Sequence, residues 1–137
     1  MIYTSYFANM RYLSEEDIKR CVSIALAPPP GYKGAQYKKL APLRYILKDY
    51  QIDKDKEKYK RKYIYQVLNN LDPIETAKEL DGKILICFET PEKFCHRHIV
   101  SQWFRDNGID CFEIVPHNKE IMIQQPGLFW KRLFFTY

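Results

Sequence analysis

Residues 83–115 read "KILICFETPEKFCHRHIVSQWFRDNGIDCFEIV", and this stretch decides the fold. Its opening, "KILICFE", is a short apolar run of the kind that forms a buried strand. Pro91 then separates it from "CHRHIVSQWFRDN", a helix of about thirteen residues closed by Gly108 at its C-terminal cap. "IDCFEIV" follows as a further short strand. Strand, helix and strand in that order predict parallel pairing through a right-handed crossover.

The flanking sequence extends the pattern. "MIYTSYFA" has the β-branched and aromatic character of a strand, and in "SEEDIKR" Ser14 precedes acidic residues as a helix cap does. "CVSIALA", residues 21–27, is a continuous apolar run stopped by three prolines, as in a strand buried on both faces and parallel to the first. The prolines and glycines of "PPPGYKGAQYKKLAPL" predict a surface loop carrying Tyr32, Lys33, Tyr37, Lys38 and Lys39. A short helix is expected over 43–50 and a longer one over 53–71, where Tyr59, Tyr63, Val67 and Leu71 recur every four residues. In "DPIETAKEL", Asp72 is the N-cap and Pro73 the first helical residue, and Gly82 ends the helix.

These elements predict a single α/β domain over 1–115: a mainly parallel, Rossmann-like sheet of about four to five strands flanked by helices. Residues 116–137 form an aromatic C-terminal extension in which "EIMIQ" reads as an edge strand. "LFWKRLFFTY" is too apolar to float free and is expected to pack on the domain or on another chain, including a second copy.

Composition bounds the function. In 137 residues, 46% are hydrophobic and 28% charged, the balance of a globular chain able to bury its own core. A net charge of +5 and eleven tyrosines make polyanions and nucleobases plausible partners. The start lacks the pattern of a secretory signal and no eighteen apolar residues run together, so a cytoplasmic protein without a membrane segment is expected. In that reducing compartment Cys21, Cys87, Cys95 and Cys111 are expected to be thiols.

The segment "LICFETPEKFCHRHIVSQWF" resembles the strand-turn-helix signature of the family known as domain of unknown function 488. That signature is an apolar strand ending Cys-x-Glu, a variable turn, and Cys-His-Arg opening a helix. Here the positions are Cys87, Glu89, Cys95, His96 and Arg97. "IYTSYFA" and "VSIALAPPPGYKGAQYKKLAP" are similar to the family's first two strands and its lysine-bearing loop, so the likeness spans residues 1–115 in blocks. The resemblance implies an α/β fold and an enzyme, without supplying a reaction.

The chemistry must come from the residues. Ligands of open α/β sheets lie beyond the carboxyl ends of the strands, where helix N-termini point their amides. Cys95 at a first helical turn beside Arg97 and a histidine is a candidate nucleophile, and Glu89 a candidate acid or base. Arg97 suits an oxyanion, His96 either catalysis or support, and Tyr32, Lys33, Tyr37, Lys38 and Lys39 a nucleotide. Arg97 stands two residues after Cys95 without a glycine-rich cradle, unlike the six-residue spacing of cysteine phosphatases. Adjacent helical residues point about 100° apart, so at most two of Cys95, His96 and Arg97 share a pocket.

Structural readings stand beside these. Cys95 could be core, and His96 and Arg97 could tie strand ends together through an ion pair to Glu89. Cys87 is read as core and His98 as a surface or tail-contacting residue. Cys87, Cys95, His96, His98 and His117 are candidate metal ligands, but the spacing C-x7-C-H-x-H is not that of a zinc finger, ribbon or zincin, so no cofactor is expected, with zinc the minor alternative. The expected function is hydrolysis or group transfer on a nucleotide, nucleoside or nucleic acid. The alternatives are a module that binds such ligands without turnover and an interaction protein using the aromatic tail.

Overall fold

Alternation along one strand organises the molecule. In Ile84–Cys87 (β4), Ile84 and Ile86 join one buried cluster while Leu85 joins another, so the strand is covered on both faces. The computed structural model describes the backbone of residues 1–90, 92–117, 120–125 and 129–133, and the side chains of 1–90 and 92–114.

The chain runs Ile2–Tyr6 (β1), a 3-10 turn at Phe7–Tyr12, Glu15–Arg20 (α1), Cys21–Ser23 (β2), Ala35–Gln36 (β3) and a second 3-10 turn at Lys38–Leu40. It continues through Arg44–Asp53 (α2), Lys56–Gln66 (α3), a third 3-10 turn at Leu68–Asn70, Pro73–Glu79 (α4), β4, His96–Asp106 (α5) and Cys111–His117 (β5). Glu120–Gln125 (β6) and Phe129–Leu133 (β7) complete it. The spatial order is β3-β2-β4-β1-β5-β6-β7. The first five strands are parallel, and β6 and β7 are antiparallel additions beyond β5. This is the α/β fold expected, with β4 inserted between β1 and β2 in register Tyr3 to Ile84 and Cys21 to Ile84.

Two cores follow from the sheet. Ile2, Val22, Leu85 and Cys111 meet α2, α3 and α5 through Ile46, Tyr59, Tyr63, Val100 and Phe104 on one face. On the other, Cys21, Ile84, Ile86 and Ile114 meet Leu13, with Phe7 and Met10 against them. The segments between β3 and β4, and between β4 and β5, pass over the first face, whereas the connection from β1 to β2 passes over the second. That arrangement keeps the crossovers of one hand.

Some boundaries differ from those read in the sequence. The strand read over 21–27 stops at Ser23, although the Ile24 amide still donates to the Ile86 carbonyl at 3.0 Å. The helix expected over 53–71 begins after Asp55, whose carboxylate accepts from the Lys58 amide at 3.0 Å, and ends at Gln66. The helix expected to open with Cys95 begins at His96, because Cys95 has extended backbone (φ −154°, ψ 145°) and is the N-cap. Gly108, at φ +77°, ends that helix, where a side chain would strain the backbone. "EIMIQ" is no edge: β6 is paired on both sides, and β7 lies outside it. Among the described residues no helix is long and apolar enough to cross a membrane.

Candidate active site

The carboxyl ends of β2 and β4 open into a cleft of about 520 Å³. Its floor is Cys87, Cys95 and His96, and one side is the backbone of Ala25, Leu26 and Ala27 leaving β2. Tyr50 of α2, Tyr59 of α3 and Phe94 before α5 form an aromatic wall, with ring centroids 5.1 Å apart for Tyr50–Phe94 and Tyr59–Phe94. Phe88 and Glu89 stand on the rim just past β4, and Lys54 of the α2–α3 turn supplies a cation. Glu89 is exposed, Phe88 is half exposed, and Cys95 is 5% exposed.

The floor is a polar cluster in an otherwise apolar setting. His96 Nδ1 lies 3.5 Å from Cys87 Sγ and 3.9 Å from Cys95 Sγ, and its Nε2 lies 2.7 Å from the Ile24 carbonyl. A carbonyl only accepts, so Nε2 carries a hydrogen and, in the neutral ring, Nδ1 turns its lone pair to the two sulfurs. The Tyr63 ring packs on His96 with centroids 5.5 Å apart, and the Tyr63 hydroxyl donates to the Leu40 carbonyl at 2.5 Å. A hydrogen bond from Cys87 holds the Cys95 thiol well below the ordinary thiol range, with neighbouring His96 acting in the same direction against the cost of burial. The Cys87 thiol is pushed well above that range by its bond to Cys95 and by burial. The two shifts run in opposite directions, and the helix dipole at the head of α5 acts on Cys95 in the same direction as His96.

Arg97 is not in this cleft. It is 0% exposed and turned to β5, where Nε donates to both Glu113 carboxylate oxygens at 3.0 and 3.1 Å and Nη2 donates at 2.7 Å. Thr4 Oγ1 adds a 2.5 Å bond to the same carboxylate. The structure places Arg97, expected to bind an anion, outside the cleft lining: a carboxylate of the chain itself takes Nε and Nη2, and Nη1 has no partner among the described residues. It also replaces Glu89 with Glu113 as the ion-pair partner. The reason is the helical step anticipated from sequence, which sends His96 and Arg97 to different sides of α5.

The loop residues expected to bind a nucleotide are likewise outside the cleft lining. Tyr32 packs edge-on against Phe7 with its hydroxyl donating to the Ala35 carbonyl at 2.6 Å, on the second face of the sheet. Tyr37 packs against the core of the first face and donates to Glu79, with Lys39 4.0 Å from the same carboxylate. Lys38 donates to the Leu26 carbonyl, and Lys33 is exposed. The sheet thus separates the two tyrosines that the sequence suggested as one platform. His98 is half-buried, with its Nε2 lacking a hydrogen-bond partner among the described residues.

Glu113 had no place in the sequence reading, whereas Cys87, read as core and as a candidate metal ligand, lines the cleft. Period-two alternation places Leu85, Cys87 and Glu89 on one side of the strand, so Cys87 was readable as a neighbour of the site. Glu113 is a carboxylate inside the apolar run "CFEIV", which requires a buried cation for a partner.

The family profile described as the active DUF488-N3 subclade matches residues 10–108. The chain belongs to this subclade. The part matched to DUF488-N3 holds β2 to α5 and therefore Cys87, Glu89, Cys95, His96 and Arg97, whereas β1 and Glu113 of β5 lie outside it. No curated protein and no solved structure matches the chain.

Proposed function

We propose that this protein is an enzyme acting on a nucleoside, a nucleotide or a nucleotide unit of nucleic acid, by hydrolysis or group transfer in the cleft beyond β2 and β4. Cys95 is the reactive group of this reading and Glu89 the acid or base. The observation that carries it is the shared cleft: a thiol at a helix head and a solvated carboxyl line the same aromatic-walled cavity. The wall of Tyr50, Tyr59 and Phe94 offers a face for a planar base, and Lys54 replaces Arg97 as the cation for a phosphate. The description of the subclade as active favours turnover over simple sequestration. Four free thiols suit the reducing cytoplasm.

The test is conversion of a panel of nucleosides, nucleotides and short oligonucleotides by the purified protein, followed by chromatography and mass spectrometry. Glu89→Gln is expected to lose at least about 100-fold in rate, as general acid–base groups do. Cys95→Ser loses turnover as well, with both variants keeping the melting temperature. A ligand-induced thermal shift without conversion would leave a binding module in place of an enzyme.

A further inference from the structure

We propose that Cys87, Cys95 and His96 form a three-ligand site for one zinc-class divalent cation, with the fourth coordination position opening into the cleft. The inference deepens the reading above by naming a cofactor for the same cavity, and it rests on that reading only for the use made of the fourth position.

Distance is the first argument. Zinc–sulfur bonds of about 2.3 Å and zinc–nitrogen bonds of about 2.0–2.1 Å at tetrahedral angles place sulfur and nitrogen about 3.5 Å apart, and two sulfurs about 3.8 Å apart. His96 Nδ1 lies 3.5 and 3.9 Å from the sulfurs of Cys87 and Cys95, and all three ligand atoms fall within 4.8 Å of one another. The sulfurs need to close by no more than about 1 Å around the ion.

Orientation is the second. A metal-binding histidine characteristically donates its other ring nitrogen to a carbonyl or carboxylate, which fixes ring and tautomer. His96 does this through Nε2 to the Ile24 carbonyl at 2.7 Å, leaving Nδ1 directed at the sulfurs. The ligands also sit on anchored backbone: Cys87 ends β4, Cys95 holds the N-cap position of α5 and His96 opens the helix. Arg97, the nearest cation along the chain, is neutralised by Glu113.

Chemistry is the third. Two thiolates and an imidazole are a borderline-soft donor set, suited to zinc rather than to magnesium or calcium. Two cysteines, one histidine and an open position are a pattern of catalytic rather than structural zinc. The sequence separation C-x7-C-H resembles no zinc motif because the ligands come from a strand end and a helix head, where the intervening turn can vary in length. With the ion bound, Cys95 is a ligand and the open position is the reactive one; without it, Cys95 is a free thiol.

Cobalt(II) titration of reduced, chelator-treated full-length protein tests the site. One equivalent is expected to produce a thiolate-to-cobalt charge-transfer band and the intense visible bands of tetrahedral cobalt, both bleached by zinc. Cys87→Ser, Cys95→Ser and His96→Gln should each weaken binding by more than the about 10–100-fold typical of losing a supporting group. Glu89→Gln should bind as the parent does. In the unsubstituted protein, zinc should protect Cys87 and Cys95 from iodoacetamide, read by peptide mass spectrometry. Absence of the charge-transfer band, or of that protection, overturns the proposal. Conversion that survives chelation and still depends on Cys95 would remove the metal and keep the proposed enzyme. Stoichiometric cobalt binding with neither conversion nor ligand-induced shift would do the reverse.

Discussion

Among the described residues Arg97 leads the fully buried side chains by volume, and its energetics differ from those of the neighbouring cleft. Its guanidinium and the Glu113 carboxylate have left water together, so each depends on the other. Glu113→Ala would strand a buried cation and is expected to cost about 3–5 kcal/mol in urea unfolding. The double substitution Arg97→Met, Glu113→Leu should recover most of that loss, because it removes both desolvation penalties at once. A single Arg97→Met variant no less stable than the parent would contradict this account. The residue types were legible in the sequence, but the pairing was not: Glu113 lies sixteen residues from Arg97, and only the packing of α5 on β5 brings them together.

At the scale of elements, the starts of α4 and α5 are built in opposite ways. Asp72 caps α4, its carboxylate accepting from the Ile74 and Glu75 amides at 2.8 and 3.1 Å, with Pro73 behind it. Asp72→Ala is therefore expected to lose about 1 kcal/mol of stability. Cys95 occupies the corresponding position of α5 and makes no side-chain cap. Cys95→Ser should shift the urea midpoint by the equivalent of no more than about 0.5 kcal/mol while abolishing turnover. A large loss of stability in that variant would instead make Cys95 a structural residue. The capping signature of α4 was readable because it depends on residues adjacent in sequence. The end of the strand at Ser23 and the start of α5 one residue late were not, because the chain leaves both elements to form the walls of a common cleft.

At the scale of the whole molecule, burial of thiols on both faces of the sheet sets an alkaline limit. Cys111 on the first face and Cys21 on the second are pushed up by burial to about 11 and about 12, from an ordinary 9.0. Both groups have raised folded-state values, so their contribution to stability is complete below the unfolded value and is lost as pH rises through the folded one. Thermal melts should show stability falling from pH 9 upward, with the Cys111 share exhausted near pH 11. Cys111→Ala should lower the melting temperature at neutral pH and flatten this alkaline slope. An unchanged slope would show that other groups set the limit.

The sequence by itself determined the α/β class, most of the run of strands and helices, the caps at Ser14 and Asp72, and the concentration of reactive residues around Cys87 to Arg97. These depend on periodicity and nearest-neighbour chemistry, which a linear chain carries openly. The tertiary structure alone decided the strand order, with β4 between β1 and β2, and through it which side chains meet. It joined Cys87 to Cys95 and His96, gave Arg97 to Glu113, and placed Tyr32 and Tyr37 on opposite faces of the sheet. Each of these outcomes depends on strand order and on the side of the sheet a helix covers, which residues adjacent in sequence do not encode.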